Sequence, residues 1–299
     1  MRVPDELKIS VCFLCGKRKN RSYEILGTGF FVGVTLPSKP EVGYLYLVTA
    51  KHIIDRAKRK KYRAFYLRIN TDAGGVDFVK VPDRWIYPKA PPSDFAIPDV
   101  AVMPIYDYEV DNHLSMAAMP IQMALGDEAA LQAHGVGIGD DVHLIGLFRH
   151  RYGLTRNIPI VRGGLIAAMP EEPLEDERGK LFDGYLIEIR SISGLSGSPV
   201  IVFKQELDST VLRPLGKRQD LPITFTNGYL LGLVRSHWSA KDVEMADVAM
   251  DDDNEPLNTG IAIVTPIKKV VNIINCDELI KDRVRLDEIQ RRNSAKVSD

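Results

Sequence analysis

Short apolar runs recur through most of this 299-residue chain, and they constrain its fold more than any other feature. Most runs are about five to nine residues long, are rich in Val, Ile, Tyr and Phe, and are separated by turn residues. Runs of this kind at close intervals predict the β-strands of an all-β barrel or sandwich. They are KISVCFLC, GTGFFVGV, YLYLVTA, YRAFYLRI, DVAVMPI, DVHLIGLF, IPIVRGGLIAA, GYLIEI, SPVIVF, GYLLGLV and GIAIVTPI.

Helical patterning is confined to a few places. Residues 270–290 carry apolar side chains at roughly helical spacing, which predicts a terminal helix with a break near Asp277. Residues 121–134 are interpreted as a short helix or a linker. The basic stretch 56–63 (RAKRKKYR) predicts a solvated helix or loop, and residues 293–299 form a polar tail that we expect to fray.

Composition and charge narrow the class of protein. Hydrophobic residues make up 45% of the chain, charged residues make up 26%, and the formal net charge is −1. These values are typical of a soluble globular protein and favour neither nucleic acid nor a membrane as a partner. The N-terminus lacks the apolar core of a secretory signal, and no apolar run approaches the ~18 residues of a membrane span. We therefore expect a cytoplasmic protein.

The cysteines and acidic residues do not indicate a metal or another cofactor. Cys12 and Cys15 form one CxxC pair, but no second pair stands at zinc-ligand spacing, and Cys276 is far away. Strand alternation would also direct Cys12 and Cys15 to opposite faces, so we expect buried free thiols. The acidic stretch 242–255 has adjacent rather than alternating Asp residues and no glycine bend, which favours a solvated loop over a calcium loop.

Ser196 lies in a turn, within SISGLSGSPVIVF (191–203), directly before an apolar run. Gly, Ser and Pro often cluster in plain turns for backbone reasons. A catalytic serine further needs a base, a carboxylate that orients the base, and donors for the oxyanion. His52 follows the apolar strand YLYLVT and is a candidate base. Asp99 stands at the start of another apolar strand, where a partly buried carboxylate requires a partner.

The order His52, Asp99, Ser196 is also that of a known enzyme group. TAKHI, DVAVM and GLSGSPV resemble the three catalytic segments of trypsin-like serine peptidases of the chymotrypsin fold. GTGFFVGV resembles the strand that precedes the histidine, and NGYLLGLV and GIAIVTPI resemble the strands beside the specificity pocket. GLSGSPV is closest to the GNSGSPV form of the bacterial glutamyl-endopeptidase branch. The resemblance covers roughly residues 8–275.

The resemblance implies an architecture. It consists of two six-stranded antiparallel β-barrels followed by a C-terminal α-helix, with the site in the cleft between the barrels. The expected parts are an N-terminal barrel (1–120), a linker (121–134), a C-terminal barrel (135–268) and a helix with its tail (269–299).

The resemblance also assigns roles. His52 would take the proton of the Ser196 hydroxyl, and Asp99 would orient and stabilise the imidazole. The backbone N–H groups of Gly194 and Ser196 would form the oxyanion hole, and Gly194 would bring bare backbone against the substrate carbonyl. The implied reaction is cleavage of a protein or peptide substrate through an acyl-enzyme.

Leu195 departs from the family pattern. Digestive members have Asp there, which pairs with the new N-terminal amine after propeptide cleavage, and leucine cannot form that ion pair. The first strand is also expected to start near residue 8. We therefore predict activity without N-terminal processing, restrained by narrow specificity or by a regulatory protein partner.

The preference of the specificity pocket is weakly indicated. Arg190 aligns with the pocket floor, and Arg235 and His237 stand on a wall strand, while Gly260 belongs to the neighbouring strand. A basic floor would suit an acidic side chain. The acidic stretch 242–255 would flank the same pocket and argues against this, so apolar and small side chains remain open.

Two other classes of protein compete with the peptidase. A protease-fold protein that binds without cutting is one, although such proteins usually lack the Ser or the His. An α/β-hydrolase is the other, but position 198 is Ser rather than the Gly of its G-x-S-x-G elbow, and only His237 follows the serine. That class also needs alternating strands and helices.

Overall fold

Antiparallel β-strands make up most of the structured chain, as the sequence predicts. A computed structural model describes residues 3–19, 22–36, 39–62, 64–105, 113–148, 151–176, 179–189, 195–204, 228–239 and 258–297. Within these ranges the strands form an N-terminal sheet, a closed barrel and one small hairpin. The predicted acidic loop (242–255) and the predicted site residues Arg190 and Gly194 lie outside the described residues.

The N-terminal sheet has seven strands, in the order β5-β4-β1-β2-β3-β6, with the short β7 pairing alongside β2. Hydrophobic side chains of this sheet form its core, as in β1, where the six residues 11–16 are all buried. Its strands are β1 (Val11–Lys17), β2 (Tyr23–Leu36), β3 (Lys39–Thr49), β4 (Phe65–Asn70), β5 (Val76–Val81), β6 (Ala101–Pro104) and β7 (Met119–Pro120).

The N-terminal sheet is open where a closed barrel was predicted. Among the described residues no ladder joins its two edge strands, β5 and β6. One isolated bridge connects Ile86 with Val102, through N–H···O hydrogen bonds of 2.7 and 3.0 Å. A pair of hydrogen bonds does not close a sheet, so a second six-stranded barrel remains a prediction.

The C-terminal sheet closes on itself, and this predicted barrel is confirmed. Six strands follow one another around it in the order β12-β15-β14-β13-β8-β9. Alternating apolar side chains such as Val200 and Val202 of β13 are fully buried inside it. The strands are β8 (Asp141–Leu147), β9 (Pro159–Ala168), β12 (Tyr185–Glu188), β13 (Pro199–Phe203), β14 (Gly228–Ser239) and β15 (Asn258–Pro266). The separate hairpin consists of β10 (Leu174–Glu175) and β11 (Leu181–Phe182).

Helices occupy the ends and the connections. The sequence predicts a short helix or a linker for residues 121–134, and the structure has a 3-10 turn and the helix α3 there. α3 begins after Asp127, whose side chain accepts a hydrogen bond from the backbone N–H of Ala130. The predicted terminal helix is split, with Asn275 and Cys276 between its halves, close to the expected break. Residues 8 and 9, assigned to the first strand by the sequence, belong to a helix instead. The helices are α1 (Asp5–Ile9), α2 (Lys51–Arg59), α3 (Glu128–Ala133), α4 (Lys268–Ile274) and α5 (Asp277–Val297).

Candidate active site

His52 is the second residue of α2, immediately beyond the end of β3. Ala50, the residue before the helix, has extended backbone angles, so the chain turns abruptly from strand to helix there. Ile53, Ile54 and Ala57 are buried on the inner face of α2, which fixes the helix against the sheet. The His52 side chain is 39% exposed and is therefore accessible from the surface.

Asp99 holds His52 through both carboxylate oxygens. Its Oδ1 accepts a hydrogen bond of 2.8 Å from the backbone N–H of His52, and its Oδ2 lies 2.7 Å from Nδ1 of the imidazole. The Asp99 side chain is only 11% exposed. An ionised carboxylate can only accept, so Nδ1 carries the proton and Nε2 is left as the basic nitrogen.

The pKa of Asp99 is lowered despite its burial. Burial alone would raise this pKa, but the hydrogen bond and charge of the His52 side chain outweigh it, with further help from the His52 N–H and from Arg235. The carboxylate therefore stays ionised at neutral pH. An ionised acid on Nδ1 is what an imidazole base needs in order to keep one tautomer and to accept a proton at Nε2.

The turn that carries Ser196 lies against the residues leading into α2. The carbonyl oxygen of Ser196 accepts a hydrogen bond of 3.2 Å from the N–H of Thr28. Gly197 has a φ of +82°, and a methyl group built on it would lie 2.7 Å from Oγ1 of Thr49 and 3.2 Å from the backbone nitrogen of Ala50. The backbone of the serine turn is thus in contact with Thr49, at the end of β3, and with Ala50, two residues before His52.

Gly27 of β2 allows both α2 and the serine turn to lie close to this strand. A methyl group there would overlap Cδ1 of Ile53 in α2 and would lie 3.4 Å from the Ser196 carbonyl oxygen. Sequence reasoning singled out Gly194 and missed Gly27 and Gly197. Gly27 lies within a strand and Gly197 follows a serine. Glycines at such positions are common, so the sequence around them does not reveal a contact between distant segments.

Arg235 of β14 packs against the β10–β11 hairpin and the residue that follows β10. Its guanidinium carbon lies 3.8 Å from the ring centroid of Phe182, and its Nη2 lies 3.9 Å from Oδ2 of Asp176. The side chain is 19% exposed. Burial lowers the pKa of Arg235, and the carboxylates of Asp99 and Asp176 act in the opposite direction. Sequence reasoning placed Arg235 on the pocket wall and gave no sign of these partners.

The remaining predicted pocket residues lie on the barrel. His237 is half-buried on β14, opposite Ala262 of β15. Gly260 has a φ of +83°, its carbonyl accepts a 2.7 Å hydrogen bond from the N–H of Ile189, and a methyl group on it would meet open space. The structure leaves their predicted role in substrate binding as a prediction.

Ser198 differs from Ser196 in its surroundings. Its side chain is fully buried and packs against Gly146, where an added methyl group would overlap the Ser198 hydroxyl. The hydroxyl makes no hydrogen bond to any residue that the structure describes. Ser198 is therefore a packing residue, while Ser196 is half-buried.

Neither a metal-binding cluster nor a membrane-crossing helix occurs among the described residues. Within the described ranges no group of three or more His, Cys, Asp or Glu side chains is arranged to hold a metal ion. Cys12 and Cys15 are buried free thiols, and burial raises the pKa of both. No helix among the described residues combines the length and hydropathy that crossing a bilayer requires.

Comparisons with known proteins add a likeness to solved structures. No family model matches the chain, and no curated protein matches it. Among the solved structures, the chain is similar to Deg5 at 13% identity and a TM-score of 0.45, over 90% of this chain and 88% of that chain. A likeness of this size assigns no activity.

Proposed function

We propose that this protein is a serine endopeptidase with His52, Asp99 and Ser196 as its catalytic residues. The observation that carries the proposal is the pair of hydrogen bonds that the Asp99 carboxylate accepts from the backbone N–H and the imidazole of His52. The contact of the Ser196–Gly197 turn with Thr49 and Ala50 supports it, because that contact brings the serine segment beside the histidine helix. A solvated structural histidine does not need a buried, ionised acid on its Nδ1.

The proposed reaction proceeds in two halves. The Ser196 oxygen attacks the peptide carbonyl carbon while Nε2 of His52 takes the hydroxyl proton, and the imidazolium returns that proton to the leaving amine. Water then gives a proton to Nε2 of His52 and attacks the acyl-enzyme. This attack releases the acid product and restores Ser196. The negative oxygen of each intermediate would accept hydrogen bonds from the N–H groups of Gly194 and Ser196.

Activity without N-terminal processing is part of the proposal. Leu195 is completely buried next to the nucleophile, where an ion pair with a terminal amine would otherwise stand. Apolar packing of this kind orders the turn without a charge. Narrow substrate preference or a regulatory protein partner would then restrain a cytoplasmic enzyme. Arg190, Arg235, His237 and Gly260 are the proposed pocket residues.

The α/β-hydrolase alternative has no support from the fold. Its sheet is built from alternating strands and helices, whereas the barrel that carries β13 is closed and antiparallel. No observation favours the non-cutting protease-fold protein either. Fluorophosphonate labelling and peptide digestion separate this binding protein from the enzyme.

Labelling with a fluorophosphonate probe and digestion of a proteome-derived peptide library test the proposal. The wild-type chain should label and cleave, and Ser196→Ala should do neither. Asp99→Asn should fold and lose about a thousandfold or more in kcat/KM, because the imidazole would lose its acid. Ser198→Ala is the matched control and should label like the wild type. A folded wild-type chain that is not labelled and does not cleave peptides would contradict the peptidase and support the protease-fold protein that binds without cutting.

A further inference from the structure

Two threonine hydroxyls are buried where the serine turn meets the N-terminal sheet. Thr28 of β2 and Thr49 at the end of β3 are fully buried, whereas other buried side chains of these strands, such as Phe30 and Leu47, are mostly apolar. Valine has nearly the same shape as threonine, and a buried hydroxyl costs stability unless it is hydrogen-bonded. The reason for a hydroxyl at both positions must therefore lie in the contacts that these hydroxyls make.

The Thr28 hydroxyl joins the N-terminal sheet to the barrel. Its Oγ1 accepts a hydrogen bond of 3.3 Å from the backbone N–H of Leu147, the last residue of β8. The backbone N–H of Thr28 donates to the Ser196 carbonyl at 3.2 Å. A single residue of β2 is therefore hydrogen-bonded both to a barrel strand and to the turn that carries the proposed nucleophile.

The Thr49 hydroxyl holds Thr28 from β3. It donates a hydrogen bond of 2.7 Å to the Thr28 carbonyl, and it lies 2.7 Å from a methyl group built on Gly197. Thr49 also stands three residues before His52, at the point where β3 gives way to α2. A continuous chain of contacts therefore leads from Ser196 through the two threonines to the histidine.

We propose that Thr28 and Thr49 are positioning residues that hold the Ser196 turn in place relative to His52. The proposal deepens the proposed function and rests on it for its kinetic consequences. A displacement of about 1 Å between reacting groups costs about a hundredfold in rate. Both hydroxyls are buried beneath the turn and out of reach of a substrate, so their loss should slow the chemical step and leave substrate binding unchanged.

The experiment measures kcat and KM for a cleaved peptide, together with the rate of labelling by a fluorophosphonate probe. Thr28→Val and Thr49→Val keep the side-chain shape and remove the hydroxyl. Each should lower kcat and the labelling rate by about 10- to 100-fold and keep KM within about threefold of the wild type. The probe carries no peptide side chain, so a lower labelling rate reports on the serine and its base and not on the specificity pocket.

Serine variants test whether the hydroxyl is the cause. Thr28→Ser and Thr49→Ser keep the hydroxyl and should restore most of both rates. Thr71→Val is the matched control, because Oγ1 of Thr71 also accepts a backbone hydrogen bond, of 3.1 Å from Gly75, but in the turn between β4 and β5. It should leave both rates unchanged. A serine variant as slow as its valine counterpart would assign the effect to the lost methyl group and overturn the proposal.

The two valine variants leave different groups unsatisfied. Thr28→Val leaves the buried N–H of Leu147 without this acceptor, which is costly. Thr49→Val removes one donor from a carbonyl oxygen, and carbonyl oxygens tolerate such a loss better than N–H groups do. Thr49→Val is therefore expected to fold even where Thr28→Val does not, and circular dichroism with urea unfolding identifies the folded variants.

Hydrogen exchange makes the failure of this proposal distinguishable from that of the peptidase. The amide of Thr28 is bonded to Ser196, so its exchange in Thr49→Val should rise about tenfold or more, beyond any rise elsewhere in β2. A folded Thr49→Val with wild-type kcat and labelling rate would overturn the positioning role, even in an active enzyme. Faster exchange in a chain that is never labelled and never cleaves a peptide would support the ordering of the turn by the threonines and overturn the peptidase.

Discussion

Gly197 combines a backbone requirement with a packing requirement. Its φ of +82° is in the left-handed region, which side-chain-bearing residues rarely adopt, and an added methyl group would overlap the carbonyl oxygen of Thr28. This oxygen is not free to move away, because it also accepts a 2.7 Å hydrogen bond from the Thr49 hydroxyl. The residue after the proposed nucleophile is thus tied to β2 and β3.

We expect Gly197→Ala to lower the free energy of unfolding by more than about 2 kcal/mol, the strain of the φ angle being about 1–2 kcal/mol and the overlap adding to it. Gly74→Ala is the matched control, since Gly74 has a φ of +85° but open space around it. Urea unfolding of both variants measures the difference. Equal losses would mean that the contact with Thr28 is unimportant.

Glu24 is a second residue whose surroundings decide its behaviour. It accepts hydrogen bonds from Arg18 at 2.6 and 2.9 Å, from Lys60 at 2.7 Å and from the Tyr62 hydroxyl. Burial would raise the pKa of Glu24, but Lys60, Tyr62 and Arg18 together lower it to about 2 from an ordinary value of 4.5. A lowered pKa means that the carboxylate stabilises the fold above pH 4.5 and that this stability is lost as the pH falls toward 2.

Glu24→Gln should therefore flatten the dependence of the unfolding free energy on pH below 4.5. At neutral pH it should cost about 1–2 kcal/mol, because charged hydrogen bonds are replaced by neutral ones. Glu6→Gln, at an exposed position of α1, should change neither. Unfolding measured from pH 7 to 2 in both variants provides the test, and a wild-type slope in Glu24→Gln would contradict the assignment.

At the scale of elements, Arg68 of β4 joins the N-terminal sheet to the connection between β8 and β9. The side chain is 3% exposed and donates to the Gly153 and Leu154 carbonyls, at 2.7 and 3.3 Å, and to Asn157. Asn157 returns a 2.7 Å hydrogen bond to the Arg68 carbonyl, and Asn70 adds two more bonds to its backbone. The ordering of this connection therefore depends on a strand of the other sheet.

Arg68→Met should release the connection, because the methionine cannot satisfy the carbonyl oxygens of residues 152–154. We expect amide hydrogen exchange over residues 151–158 to rise at least tenfold, which corresponds to about 1.4 kcal/mol of local stability. Arg84→Met, which breaks an ion pair with Asp282 between partly exposed side chains, is the control and should leave this exchange unchanged. Unaltered protection in Arg68→Met would show that packing alone orders the connection.

At the scale of the whole molecule, the C-terminal helix returns to the N-terminal sheet. The Tyr44 hydroxyl donates to the Arg283 carbonyl at 2.9 Å, and the Arg283 guanidinium donates to the Tyr46 hydroxyl at 2.6 Å and to the Ile274 carbonyl at 2.7 Å. The two contacts with tyrosines of β3 span 239 and 237 positions of the chain. The two ends of the chain are therefore parts of one structural unit.

We expect Arg283→Met to lower the free energy of unfolding by about 2–3 kcal/mol, since buried hydroxyl and carbonyl groups would lose a charged donor. The loss should appear in a single transition, because α5 bridges elements from both ends of the chain. Lys281→Met, at an exposed position of the same helix, should have little effect. Separate transitions for the sheet and the barrel, seen by different probes, would contradict this coupling.

The strands that the sequence predicts are those with long apolar runs. The missed ones are different in kind: β5 (VDFVKV) carries charges on its exposed positions, and β7, β10 and β11 are two residues long. Two residues show no periodicity, so tertiary neighbours alone make them strands. For the same reason local patterns could not tell whether the first sheet closes.

By itself the sequence determined the strand-rich class of the fold, the terminal helices and the three residue types at the candidate site, because periodicity and side-chain chemistry are local properties. Only the tertiary structure decided that Asp99 holds His52 across 47 positions, that Gly197 lies against Thr28 and that Arg235 lies against Phe182 and Asp176. Such contacts depend on strand register and on the packing of one sheet against another. Those are long-range quantities that no stretch of neighbouring residues encodes.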